Sequence, residues 1–419
     1  LSGNPITASR SNQKQLYVAS GANIASANTY YAGQLAFPTT TGSTFIADVP
    51  YQRDSGNNFW NYLINSSAYL GSGSDGSVTI TSSTSLGANP IKEYKSLTIN
   101  NGQTLSWTGC ARIYVKGTLT LNGTMQNNSG AAGGEAGAGN GDRGGDGGAG
   151  GSGGGGIFLF ANGVAGTGTI NVNGAVGATA NNASSANALG DGADGTAGGA
   201  GIFDLDETNT GTTGGGLGGL GSRNQTASNT PGAGGSAGGN ITTISSSGLT
   251  NYRVETVVKR LLKAFIRSSY SKGGGGGGGG AQSNTASWYA AGGGGGGAGS
   301  VGGSAGIPIT DNTAAGGGGG GGGGSGGIVL VVSPSIASVT IAANGGAGGN
   351  GGNGDGYGTG GGGGGGGDGG LIVTVADVDS SVKTVTAGSL GNGGTGSVSG
   401  NNGTAGGAGE TVRYSFFGV

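Results

Sequence analysis

The chain has no histidine at all. Ser-His-Asp and Cys-His triads and His-based metal sites are therefore excluded. A single cysteine, Cys110, rules out an internal disulfide framework. Charge is scarce: 9% of the 419 residues are charged and the formal net charge is -2, so no net basic excess argues for general nucleic-acid binding. No run of about 18 apolar residues occurs, and so no membrane-crossing helix is expected. No signal peptide is visible. The chain starts at Leu1 rather than Met, which fits either removal of a leader or a start inside a longer product. Proline is rare too, at 7 residues, which excludes collagen despite 112 glycines, as does the missing Gly-X-Y register.

What is abundant is glycine, set among Val, Ile, Thr, Ser and Asn. Glycine richness without a period usually marks disorder, but disordered chains also carry high charge and few β-branched residues. This chain has the opposite balance. Four segments read alike. They are "ARIYVKGTLTLNGTMQNNSGAAGG" from Ala111, "GGIFLFANGVAGTGTINVNGAVGA" from Gly155, "GGIVLVVSPSIASVTIAANGGAGGNGG" from Gly326 and "GGLIVTVADVDSSVKTVTAGSLGNGG" from Gly369. Each has an apolar strand, a short turn and a second strand of period two. Turn residues Lys116-Gly117, Asn162-Gly163 and Ser333-Pro334 sit where a hairpin or a solenoid corner needs them. Spacing between the copies is irregular. A regular solenoid keeps its period, so a parallel β-helix is not expected beyond the first copy or two.

Glycine runs at 273–280, 316–324 and 360–367 lie close to these strands. Extended threefold helices of glycine, the polyglycine-II geometry, can approach one another closely and hydrogen-bond laterally when no side chain intervenes. Ordering glycine costs much entropy, so only a cooperative lattice offsets it, at about 1 kcal/mol net per bond. The sequence predicts such a lattice. Flexible linkers are the alternative. The fold class expected is mainly β: stacked strand repeats, solenoid- or sandwich-like, with polyglycine-II helices and one inserted amphipathic helix. The segments are an N-terminal β attachment module (1–72), β repeats with glycine tracts (73–240), the helix insertion (241–272) and a polyglycine/β domain with exposed loops (273–419).

Within the insertion, Val254, Val257, Val258, Leu261, Leu262 and Phe265 recur at helical spacing beside Arg253, Lys259, Arg260, Lys263, Arg267 and Lys272. A basic amphipathic helix suits a membrane surface or an anionic partner. The plainer reading is an apolar stripe that covers the protein's own core or docks on a neighbouring subunit, and docking through Val254, Val258, Leu261, Leu262 and Phe265 is the favoured form. The acids Asp204, Asp206 and Glu207 admit a glycosidase pair or a calcium site, but adjacent acids on a glycine-rich loop are ordinarily just solvated. "NGDGYG" and "GDGADG" do not match calcium-repeat spacing. No enzyme activity, metal or cofactor is expected. Trp288, Tyr289, Tyr357 and Phe203 stand among small residues, and a flat apolar ring with a polar handle suits sugar or protein binding. The alternative is that they pack on the loop bases.

The stretch from Gly73 to Gly134, with "SLTIN", "IYVKGTLTLNGT" and then a glycine tract, resembles a glycine-rich module of bacteriophage and other viral surface proteins. The glycine runs broken by aromatic loops are similar to the polyglycine-sandwich adhesins at the tail-fibre tips of T-even-like phages, and Gly33 to Leu63 is similar to small β modules on phage fibres. The resemblance implies a virion-surface or extracellular protein that attaches to a host glycan or outer-membrane protein. It also implies other virion proteins and a second copy of the chain as partners, and no nucleic acid. The competing role is structural: a capsid decoration or a self-assembling filament subunit.

Overall fold

The computed structural model describes residues 70–129, 145–182, 196, 234–235, 291–297, 300–306, 316–355 and 358–414, together with the strand backbone of 16–19, 35–38, 51–53, 60–62, 283–285 and 288–290. Near the N-terminus, β1 (Leu16–Ala19), β2 (Leu35–Pro38), β3 (Tyr51–Arg53) and β4 (Trp60–Tyr62) form a sheet in chain order. The chain then runs through β5 (Ser77–Ile80), β6 (Thr84–Ala88), β7 (Ile91–Tyr94), β8 (Ser96–Ile99), β9 (Thr104–Thr108), β10 (Cys110–Leu121) and β11 (Thr124–Ser129). It continues through β12 (Gly156–Ala165) and β13 (Thr169–Asn171), then a hairpin of β14 (Ser283–Thr285) and β15 (Trp288–Ala290). Last come β16 (Ile328–Val332), β17 (Ser335–Ile336), β18 (Thr340–Ala342), β19 (Leu371–Val375), β20 (Val378–Asp379), β21 (Val382–Thr384) and β22 (Glu410–Tyr414).

Two parallel sheets share nearly all of these strands. The first has the order β22-β19-β16-β12-β10-β8-β5, and the second β21-β18-β13-β11-β9-β6. Each coil lays one strand on each sheet, and both sheets grow in chain order. The expectation that a solenoid would fail after one or two copies is therefore overturned. All four sequence copies stack in register, from β10–β11 to β19–β21. The physical reason is where the insertions leave. Segments 130–155, 172–327, 343–370 and 385–409 each depart after a strand of the second sheet and return before a strand of the first. Excursions of any length at that one corner leave the coil's register untouched.

Side-chain columns between the sheets show why the register is specified. Along the second sheet, Leu105, Met125, Ile170 and Ile341 stand opposite one another in successive coils. On the first sheet Ile113, Leu159 and Val331 do the same. All seven are completely buried. A slip of one residue would turn each column outward. Trp107 fills the same core and its Nε1 donates to the Gly156 carbonyl at 3.0 Å, so the indole's polar edge is satisfied.

The columns end in polar groups. Ile341 is followed in the last coil by Lys383, Val331 by Thr374 and Arg413, and Ile336 by Asp379. At the other end, Lys92 stands beside Ile113 and Thr84 beside Leu105. Asp379 has a side chain with 0% exposure, and it accepts from Lys383 Nζ (2.7 Å), Thr374 Oγ1 (2.7 Å) and Ser381 Oγ (2.6 Å). This network closes the apolar core like the polar capping repeats that solenoids require.

Candidate binding surface on the glycine lattice

The excursions do not leave as slack chain. Segment 316–327 donates to 359–368 through Gly317, Gly320, Gly323 and Gly326, and to 172–181 through Gly318, Gly321, Gly324 and Gly327. It accepts from Gly148, Gly151 and Gly154, from Gly346, Gly349 and Gly352, and from Gly292 and Gly295. The step is three residues in every set. Segment 358–370 is surrounded in the same way by 317–326, 343–352, 388–394, 398–407, 292–295 and 303–306. All residues of 316–327 and 358–370 are buried. Backbone groups that could not be buried alone are thus paired laterally.

This geometry demands glycine. A Cβ added at Gly321 would lie 2.5 Å from the Ala149 carbonyl carbon, and one at Gly364 would lie 2.6 Å from that of Gly321. Where a segment has a free side, side chains recur: in 344–354 these are Asn344, Ala347, Asn350 and Asn353, again three apart. Their amides have a task that the sequence reading missed. On the outer row, several N–H groups take an asparagine oxygen from the preceding segment instead of a backbone carbonyl. Asn344 N donates to Asn173 Oδ1 (2.6 Å), Thr386 N to Asn344 Oδ1 (2.8 Å), Asn392 N to Asn350 Oδ1 (2.9 Å) and Thr395 N to Asn353 Oδ1 (2.8 Å). The recurring offset of 42 residues between the last three pairs was the available signal.

A buried asparagine secures the root of the lattice. Asn127 Nδ2 donates to the Gly109 carbonyl (2.8 Å) and its Oδ1 accepts from Gly155 N (3.1 Å). It thereby holds the point where an excursion rejoins β12. Gly109 has φ +74 and neighbouring Asn89 has φ 46, a left-handed pair at the corner before β10. Asn89 Oδ1 accepts from Cys110 N at 2.8 Å.

The far ends of the segments come to one level. Asn181 N donates to Asp146 O, Gly318 N to Asn181 O, Gly352 N to Gly318 O, Gly361 N to Gly352 O, and Gly394 N to Gly361 O. Gly292 bonds Gly317, and Gly306 bonds Gly360, at the same level.

Of the residues singled out in the sequence, Trp288 and Tyr289 lie on β15. They stand opposite Thr285 and Asn284 of β14, immediately before the chain enters the lattice at 291. Tyr357, Phe203 and the helix positions Val254, Val258, Leu261, Leu262 and Phe265 lie outside the described residues. Asp355 and Gly358, on either side of Tyr357 in the chain, are joined by a Gly358 N to Asp355 O bond of 2.7 Å. Among the described residues there is no cluster of three or more His, Cys, Asp or Glu that could hold a metal ion. Among the described residues, the one strongly shifted carboxyl is structural. Burial alone would raise Asp379, but the bonds from Lys383, Ser381 and Thr374 outweigh it and hold the group at about 2. No protein-family model, curated protein or solved structure matches the chain.

Proposed function

We propose that this is a non-catalytic attachment protein of a virion surface, in which a β-solenoid anchors a block of polyglycine-II helices that presents loops to a host glycan or outer-membrane protein. Three observations support the polyglycine-II assignment: the three-residue step, lateral bonding on every side, and the intolerance of Cβ. The single observation that carries the attachment reading is the common far level. Chain ends at Asp146, Asn181, Gly292, Gly306, Gly317, Asp355 and Gly394 converge there, so connections of unrelated length and sequence are offered together by a scaffold that does not depend on them. Loops on a rigid scaffold are where binding residues concentrate. The alternative filament subunit is less well supported, because the charged side chains of Lys92 and Arg413 occupy the two ends of the first sheet's columns. Charges at exposed sheet edges oppose edge-to-edge stacking.

The test is binding of the purified chain to a panel of bacterial surfaces, with Trp288→Ala/Tyr289→Ala and Tyr357→Ala beside it. Binding that these variants lose, while amide protection at 358–370 is unchanged, supports the reading. Binding indifferent to every far-level loop, or head-to-tail polymers of the wild type, would overturn it.

A further inference from the structure

Asparagine followed by glycine carries its own slow reaction. The glycine amide nitrogen gives up its proton to hydroxide and attacks the asparagine Cγ. A C–N bond forms, the Cγ–Nδ2 bond breaks, and ammonia leaves with a proton taken from water. Water then adds to one of the two carbonyls of the resulting five-membered succinimide. Opening on one side gives aspartate. Opening on the other gives isoaspartate, in which the backbone runs through the side chain. Glycine suits the second position because it has no Cβ to block the approach. The reaction needs a free glycine N–H, a free asparagine amide and room for the two to meet.

Nine Asn-Gly pairs fall among the described residues, and a tenth, Asn140-Gly141, lies outside them. Six of the nine are in the lattice, and in all six the glycine N–H is taken. Gly174, Gly345, Gly351 and Gly354 donate to backbone carbonyls of the next row at 2.8 Å, Gly403 donates to Gly391 O at 3.0 Å, and Gly393 donates to Asn402 Oδ1 at 2.8 Å. In five of the six the asparagine is held as well: Asn173, Asn344, Asn350, Asn353 and Asn402 each accept from a backbone N–H through Oδ1. In the solenoid, Gly123 N donates to Ile99 O at 3.1 Å. Gly163 is buried within β12, opposite Thr118 of β10.

Asn101-Gly102 differs on every count. It forms the corner between β8 and β9, closed by Gln103 N donating to Asn100 O at 3.1 Å. Gly102 has φ +75, as the third residue of a type II turn does. Both residues are exposed. Neither the Asn101 amide nor Gly102 N has a partner among the described residues. A Cβ built on Gly102 would meet nothing within 4 Å, so the space around the pair is open.

We propose that Asn101-Gly102 is a deamidation site, the point at which this chain ages, and that the hydrogen bonds of the lattice withhold the same reaction from its own Asn-Gly pairs. The new carboxylate, and the extra backbone carbon of isoaspartate, enter the coil at a different corner from the one where the glycine segments depart.

The test is incubation of the full-length chain in mildly alkaline buffer, followed over time by peptide mapping with mass spectrometry. Conversion in the tryptic peptide Ser96–Arg112, with isoaspartate among its products, is expected to run at least about tenfold faster than at Asn344, Asn350 or Asn353, where two bonds must open first; tenfold corresponds to about 1.4 kcal/mol. In guanidinium chloride the rates are expected to converge. Asn101→Gln is expected to abolish conversion in Ser96–Arg112. Lattice pairs that convert as fast as Asn101 in the folded chain would overturn the proposal. So would a difference that persists in denaturant, because sequence and not structure would then set it. Conversion of Ser96–Arg112 that survives Asn101→Gln would place the reaction at another residue and refute the assignment.

Discussion

Replacing Gly364 by alanine tests the lattice at its centre. The new Cβ would lie 2.6 Å from the Gly321 carbonyl carbon, closer still to its oxygen, and 3.1 Å from Gly322 N. Ordinary carbon contacts need about 3.5 Å, so segments 316–327 and 358–370 must part by about 1 Å. The Gly320 N to Gly362 O and Gly323 N to Gly365 O bonds, at 2.9 and 2.8 Å, bracket the site and would stretch beyond useful length. Each buried group left unpaired costs about 1–3 kcal/mol. Against this, alanine restricts the unfolded chain and returns about 0.4–1 kcal/mol. The net expectation is a loss of about 3–5 kcal/mol, or roughly 100- to 3,000-fold faster opening at 1.4 kcal/mol per decade. Gly407→Ala is the control. Its Cβ would meet only the Asp368 side chain, at 3.3 Å, so a change within about 1 kcal/mol is expected. Hydrogen exchange over 317–327 and 358–370 reads both variants. Equal protection in the two would refute the lattice argument, because it would mean that the glycines are not required by close backbone approach.

Acid titration of the solenoid's end follows from Asp379, whose pKa falls from 3.8 to about 2 on folding. Its contribution is complete above the unfolded pKa and is lost as pH falls from about 4 through 2. After discounting for screening, it amounts to about 1–2 kcal/mol, and Asp379→Asn should flatten that limb in melts between pH 5 and 2. Asn127→Ala removes two buried bonds at the root of the lattice. It should cost about 2–4 kcal/mol, visible as faster exchange at Gly155 and Gly156 with β19 unaffected. Ile341→Ala opens a cavity in a fully buried column and should cost about 2–5 kcal/mol by denaturant unfolding. Asn350→Ala removes the acceptor of Asn392 N on an exposed row, where water substitutes. The expected loss is below about 1 kcal/mol.

Strand content and the role of glycine were legible because both rest on local rules. Alternation in "GGIFLF" and "GGLIVT" reads as strand whatever the neighbours, and long glycine runs in a chain of low charge leave few alternatives to lateral bonding. Continuity of the solenoid was not legible. Thr169–Asn171 pairs with Thr340–Ala342 across an insertion longer than many domains, and period arguments see only spacing along the chain, not the corner from which an insertion departs. Lys383 was equally hidden. In "SSVKTV" it reads as the outward residue of an exposed strand, yet it stands inward beneath Ile341, and only the burial of Asp379 beside it explains that. The asparagine rows required knowing which N–H groups face outward, a property of the assembled lattice. Trp288 and Tyr289 were recognisable as an interruption in glycine, and their place before residue 291 follows from the chain path.

The direction of the lattice bonds has a mechanical consequence. The glycine segments run lengthwise from the sheets to the far level, and their hydrogen bonds point sideways from Gly148–Gly319 to Gly366–Thr404. Tension applied at the far end pulls along the segments and loads these bonds in shear, many at once. It does not peel them one after another. Every segment except 291–297 and 300–306 also passes straight into or out of a strand of the solenoid, so the load is handed on to bonds that are again at right angles to it. A tether anchored at the solenoid and gripped at its loops would resist sudden pulling far better than its many individually weak bonds suggest.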